Sequence, residues 1–120
     1  MSWNKDEAIS WARQHAQPHS TGYCARYVAR AIEAGGLSIS GANAHDFGGS
    51  LSAAGFYEMP GGTPPENGDV VVIQPIAGHP YGHTAIYDGV DWYSDFKQRT
   101  MYPGNAYRQV QPAFKIYRMR

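Results

Sequence analysis

Apolar positions recur at helical spacing in the first half of the chain and as β-branched runs in the second. Ala8, Ile9, Ala12 and Ala16 make one helical stripe. Asn4 ahead of them, with Asp6 and Glu7 in the first turn, predicts a helix from about Asn4 to about Ala16 that Pro18 ends. Cys24, Val28, Ala31 and Ile32 make a second stripe, and Gly35-Gly36 stops that helix. A short third helix is expected from His45 to Ala54, closed by Gly55. After the glycine- and proline-rich segment 61–68 the period changes. Asp69 to Gln74, Gly82 to Tyr87, Trp92 to Lys97 and Ala113 to Arg118 read as strands, with a loop from Met101 to about Asn105. Helices first and antiparallel strands after predict an α+β fold. No repeat, linker or low-complexity segment interrupts it, so residues 1–120 are expected to form a single domain.

Composition narrows the function classes. Lys plus Arg and Asp plus Glu number ten each, which gives no electrostatic reason for nucleic acid or an anionic membrane as partner. One cysteine excludes an intramolecular disulfide. No apolar run is long enough to span a bilayer. The first seven residues lack the apolar stretch of a Sec signal, so any export is expected to use another route.

The lone cysteine is the first candidate for chemistry. At a helix start the backbone dipole favours thiolate, and a nearby imidazole can bring the thiol from ~8.5 into a range of roughly 3.5–7.5. The plainer reading is a small buried hydrophobe. A nucleophilic cysteine needs a base and a group that orients the base. His83, opening a strand after Gly82, fits the base, and Asp95 on the next strand fits the orienting group. Side chains alternate faces along a strand, so the two share a face only across an odd-numbered hairpin loop; a three- or five-residue connection around Asp88 to Asp91 is expected. His79 and His83 are four apart, but Pro80 and Gly82 argue against the helix that would make them a zinc pair. No metal and no cofactor is expected. His79 is expected to line the cleft or cap its loop. His15, His19 and His45 read as surface or helix-end residues, and Asp69 as a turn carboxylate.

These residues carry a resemblance. A cysteine opening a helix, then Gly68-Asp69-Val70-Val71-Val72, then Gly82-His83-Thr84-Ala85-Ile86-Tyr87-Asp88-Gly89, then a polar residue on the following strand, resembles the papain-like NlpC and CHAP peptidoglycan peptidases and amidases. The segment 92–98 is similar to small CHAP-type wall hydrolases, including type VI secretion amidase effectors. The resemblance implies Cys24 as nucleophile, His83 as base and Asp95 as the group orienting it. It departs in having Tyr23 where NlpC enzymes carry aspartate, and aspartate at the third site where CHAP enzymes often carry glutamate or asparagine. Thioester chemistry on a peptide-stem or crosslink amide is implied, with the Cys24 N–H as one oxyanion donor. Tyr23, Ser20 and His19 are candidates for the second donor by proximity, and His79 and Tyr81 for substrate contact. Also implied are peptidoglycan as substrate, a cognate immunity protein that plugs the cleft, a monomer, and action in the periplasm or wall of a target bacterium. The competing readings are a transglutaminase-like acyltransferase or deamidase acting on protein, and a non-catalytic binding module.

Overall fold

The computed structural model describes residues 3–120. Its elements run α1 (Lys5–His15), α2 (Cys24–Ala34), a 3-10 turn (Ala44–Asp46), α3 (Phe47–Ala54), β1 (Tyr57–Glu58), β2 (Val70–Ile73), β3 (His83–Tyr87), β4 (Trp92–Tyr93), β5 (Lys97–Gln98), α4 (Asn105–Val110) and β6 (Phe114–Arg118). The strands form one antiparallel sheet in the order β1-β6-β2-β3-β4-β5, so the fold is α+β as the pattern predicts.

The helix ends follow local chemistry. The Asn4 side chain accepts the Glu7 N–H at 3.1 Å and caps α1. Gly55, at φ 111°, closes α3 in the left-handed region. Two cores lie on the two faces of the sheet. Val28, Ala31 and Ile32 of α2 and Ala8, Ile9 and Ala12 of α1 pack with Val70, Val72, Ile86 and Tyr93. Val71, Ile73, Ala85, Trp92 and Ile116 point the other way and are covered by Tyr107 and neighbouring loop residues. At an order of about 25 cal/mol per Å² of buried apolar surface, these two layers are the main stabilising term.

Three expectations are corrected. The run from Trp92 to Lys97 is two short strands, because residues 94–96 turn the chain back so that Trp92 pairs with Gln98. The helix expected from His45 to Ala54 is a 3-10 turn followed by α3 from Phe47, while α4, which follows the loop expected from Met101 to about Asn105, and the two-residue β1 are elements without a signal in the apolar pattern. The connection between β3 and β4 has four residues, 88–91, with Tyr87 opposite Trp92. Asp88 explains that length: its Oδ1 accepts the N–H groups of Val90 at 2.8 Å and Asp91 at 2.6 Å. Its Oδ2 takes Arg13 of α1 at 2.9 Å, pinning the turn to the first helix. The side chain thus builds a wider turn than Asp-Gly alone would form.

Candidate active site

An even-numbered loop decides which residue meets the histidine. Continuing the pairing Ile86↔Tyr93 inward places Asp95 on the face of Thr84, opposite that of His83. The β4–β5 turn then returns the chain, and Gln98 opposite Trp92 falls on the face shared by Tyr87, Ala85 and His83. His83 Nε2 and Gln98 Oε1 lie 2.7 Å apart, both residues buried. The Gln98 amide nitrogen donates to the carbonyls of Thr100 and Met101, each at 3.1 Å. That network fixes the amide with its oxygen toward the imidazole, so Nε2 carries the proton and Nδ1 is left as the basic nitrogen. Asp95 therefore does not orient His83 by hydrogen bonding; Gln98 occupies that position.

Asp95 instead holds the approach to the cysteine. Its Oδ2 accepts the Thr21 N–H at 2.5 Å, the Thr21 hydroxyl at 2.8 Å and the Gly22 N–H at 3.1 Å. Burial pushes this carboxyl up, but the Thr21 bonds outweigh burial and hold it below the usual carboxylate range. Gly22 sits at φ 83°, a left-handed conformation that suits glycine. Through this turn Asp95 sets where α2 begins. Its Oδ1 is buried without a partner among the described residues.

Cys24 is the first residue of α2, partly buried. Tyr23 at the N-cap supplies no side-chain cap, so the first N–H groups of the helix stay available to a ligand. Cys24, His83 and Asp95 line one cleft of about 1160 Å³, walled by α2, residues 41–44, residues 78–82 and the start of α4. Gly82, at φ 71°, lets the chain enter β3: a Cβ there would collide with the Ile73 carbonyl oxygen.

The electrostatics differ from the low thiol pKa expected of a helix start. Burial pushes the Cys24 thiol above its ordinary value; the backbone of Thr84 opposes this and the charge of Asp95 adds to it. Burial also pulls His83 below its ordinary value, against the Gln98 bond and Asp95. Burial is the largest cause at both groups, and it disfavours the thiolate and the imidazolium alike.

The remaining candidates spread along the cleft or leave it. Ser20 lines its mouth, and Tyr23 lines it with its ring beneath Arg26 at 4.8 Å. His79 and Tyr81 line the opposite wall, both exposed. His19 is exposed and outside the lining. Asp69 is a turn carboxylate that also ties down the last strand. It accepts the Glu66 N–H and forms a two-pronged pair with Arg118 at 2.8 and 2.9 Å. Among the described residues no three His, Cys, Asp or Glu side chains gather as a metal site. Gln98 is the residue that sequence reasoning missed. For Gln98 the available signal was Ser94-Asp95, a turn-favouring pair inside an apparent strand.

Comparison with known proteins follows the same architecture. The model of the CHAP domain matches residues 3–107. The chain is similar to the type VI native effector–immunity complex Tae3–Tai3 from Ralstonia pickettii: 51% identity, TM-score 0.92, covering 98% of this chain and 100% of the matched one. The selenomethionine form of that complex matches at 53% identity and TM-score 0.87, covering 92% and 98%. The structure of Ly7917 with the hydrolyzing product of MDP shares the fold at 22% identity and TM-score 0.57, covering 93% of this chain and 62% of that one. No curated protein matches. With nearly its whole length matched by the family model, the chain belongs to the CHAP domain family.

Proposed function

We propose that this chain is a peptidoglycan amidase, a single catalytic domain that hydrolyses an amide of the peptide stem or crosslink with Cys24 as nucleophile. The observation that carries this reading is the His83–Gln98 bond of 2.7 Å, which leaves Nδ1 as the base of a cleft that also holds Cys24. Substrate entry displaces water, and the Cys24 proton passes to His83 Nδ1. The sulfur attacks the carbonyl carbon, forming the C–S bond. The carbonyl oxygen gains the negative charge and meets the N–H groups at the start of α2. Collapse breaks the C–N bond, and His83 gives its proton to the departing amine. Water, deprotonated by His83, then adds to the thioester; the acid leaves and the thiol is restored. Gln98 positions the imidazole, and Asp95 positions the nucleophile through Thr21 and Gly22.

The similarity to an effector bound to its immunity protein extends the proposal. This chain acts as an antibacterial effector delivered by a dedicated secretion route to the wall of a target bacterium, and a cognate immunity protein neutralises it. Mass spectrometry of muropeptides after incubating purified sacculi with the protein tests the activity. New amine and carboxyl termini at one stem or crosslink amide are expected with the wild type and none with Cys24→Ala. Intact muropeptides with both proteins, or equal cleavage by both, would overturn the reading.

A further inference from the structure

Arg26 stands in the first turn of α2, two positions after Cys24, and lines the same cleft. That turn holds no acidic residue, and a cation there faces the positive end of the helix dipole, where carboxylates are the favoured side chains. Arg26 takes part in none of the ion pairs among the described residues. Its guanidinium carbon lies 4.8 Å from the centroid of the Tyr23 ring, a contact that steadies the side chain and uses none of its N–H donors. Arg30, one turn further along the cleft wall, is exposed and has Glu33 at 3.9 Å, beyond hydrogen-bond distance. The acidic side chains of the lining leave Arg26 unneutralised. Glu33 is about two helical turns away, and Asp95 is buried with Oδ2 committed to Thr21 and Gly22. The small residues Ala25, Ala29, Gly41 and Ala42 keep the groove open beside the two guanidiniums.

Resting on the cysteine-amidase reading above, we propose that Arg26, with Arg30 behind it, is a carboxylate subsite that selects peptide stems with a free carboxylate near the scissile amide over stems in which that group is amidated. A stem joined in part through side-chain carboxyl and amino groups keeps main-chain carboxylates free, so the substrate class carries the matching charge. Arg26 lies about 3 Å of helix axis from the nucleophile and Arg30 about 9 Å, a span of one to three residues of extended stem. A guanidinium fork meets a carboxylate with two parallel N–H···O bonds. A carboxamide offers one acceptor, no charge and an amino group that guanidinium donors repel, so it loses most of that recognition.

Calorimetric titration of the full chain carrying Cys24→Ala, which keeps the ligand intact, tests this with two synthetic stem peptides. One has its carboxylates free, and the other has the same groups amidated. The free form is expected to bind about tenfold more tightly, with Arg26→Gln removing the difference and Arg26→Lys retaining part of it. Arg99→Gln makes the same change in net charge at an exposed position outside the cleft lining, and is expected to leave the preference intact. No binding of either peptide, equal affinity for the two, a preference that survives Arg26→Gln, or one that Arg99→Gln also removes would overturn the subsite. Failure of the wild type to cleave sacculi overturns the amidase reading separately, because binding to Cys24→Ala needs no turnover.

Discussion

At the scale of single residues, the candidate site turns on a division of labour between two polar side chains three positions apart. Gln98 faces the imidazole and Asp95 the turn before the nucleophile. Their substitutions should therefore fail differently. Gln98→Leu is expected to lower kcat/KM about a hundredfold with a smaller effect on KM, as expected when a base loses its orientation. Gln98→Glu places a carboxylate on Nε2, favours imidazolium, and should move the acid limb of the rate profile to higher pH. Asp95→Asn removes the charge that three donors share and should destabilise the fold by about 1–3 kcal/mol, with a fall in activity that follows the misplaced turn. Steady-state kinetics across pH with thermal melts separates the two. Asp95 was legible in the sequence as a polar residue of the site, but its partner was not. Choosing between Thr21 and His83 required the loop length, and four residues rather than three or five put it on the wrong face for His83.

At the scale of elements, the strands and helices of the core were legible because their periods are clean. Val70–Ile73 is buried at every position, and α2 starts at Cys24 as its stripe predicts. Short elements were not legible: β4 and β5 have two residues each and exist because a turn at 94–96 pairs them. The same dependence on tight turns makes Gly82 critical, since it carries the chain into β3 at a positive φ against the Ile73 carbonyl. Gly82→Ala is expected to cost about 1–3 kcal/mol from backbone strain and to displace His83. A lowered midpoint in denaturant, together with a loss of activity larger than that for an alanine substitution at the exposed Gly61, checks it.

At the scale of the whole molecule, stability is tied to pH by groups on both sides of neutrality. His83 is held below its ordinary value by burial, so the stability of keeping it neutral is present above about pH 6.5, its unfolded value, and is lost as pH falls through its lower folded value. Asp95 and Asp88, both held below the carboxylate range, add a second loss below about pH 4. Cys24 is raised, so its contribution is present below about pH 8.5 and is lost as pH rises through its folded value. Thermal midpoints should peak between about pH 6.5 and 8.5, and Cys24→Ala should flatten the alkaline side. Because burial disfavours both thiolate and imidazolium, thiol alkylation should show no plateau at mildly acidic pH, where a preformed thiolate–imidazolium pair would react.

With Cys24 as the proposed nucleophile, its sulfur becomes covalently acylated by a peptidoglycan stem during turnover. Acid quenching of the protein during turnover on muropeptides, followed by intact-mass measurement and peptide mapping, tests it most directly. The expected result is a stem-derived adduct on the peptide containing Cys24 that hydroxylamine removes and that Cys24→Ala never forms. Turnover without such an adduct, undiminished in Cys24→Ala, would contradict it.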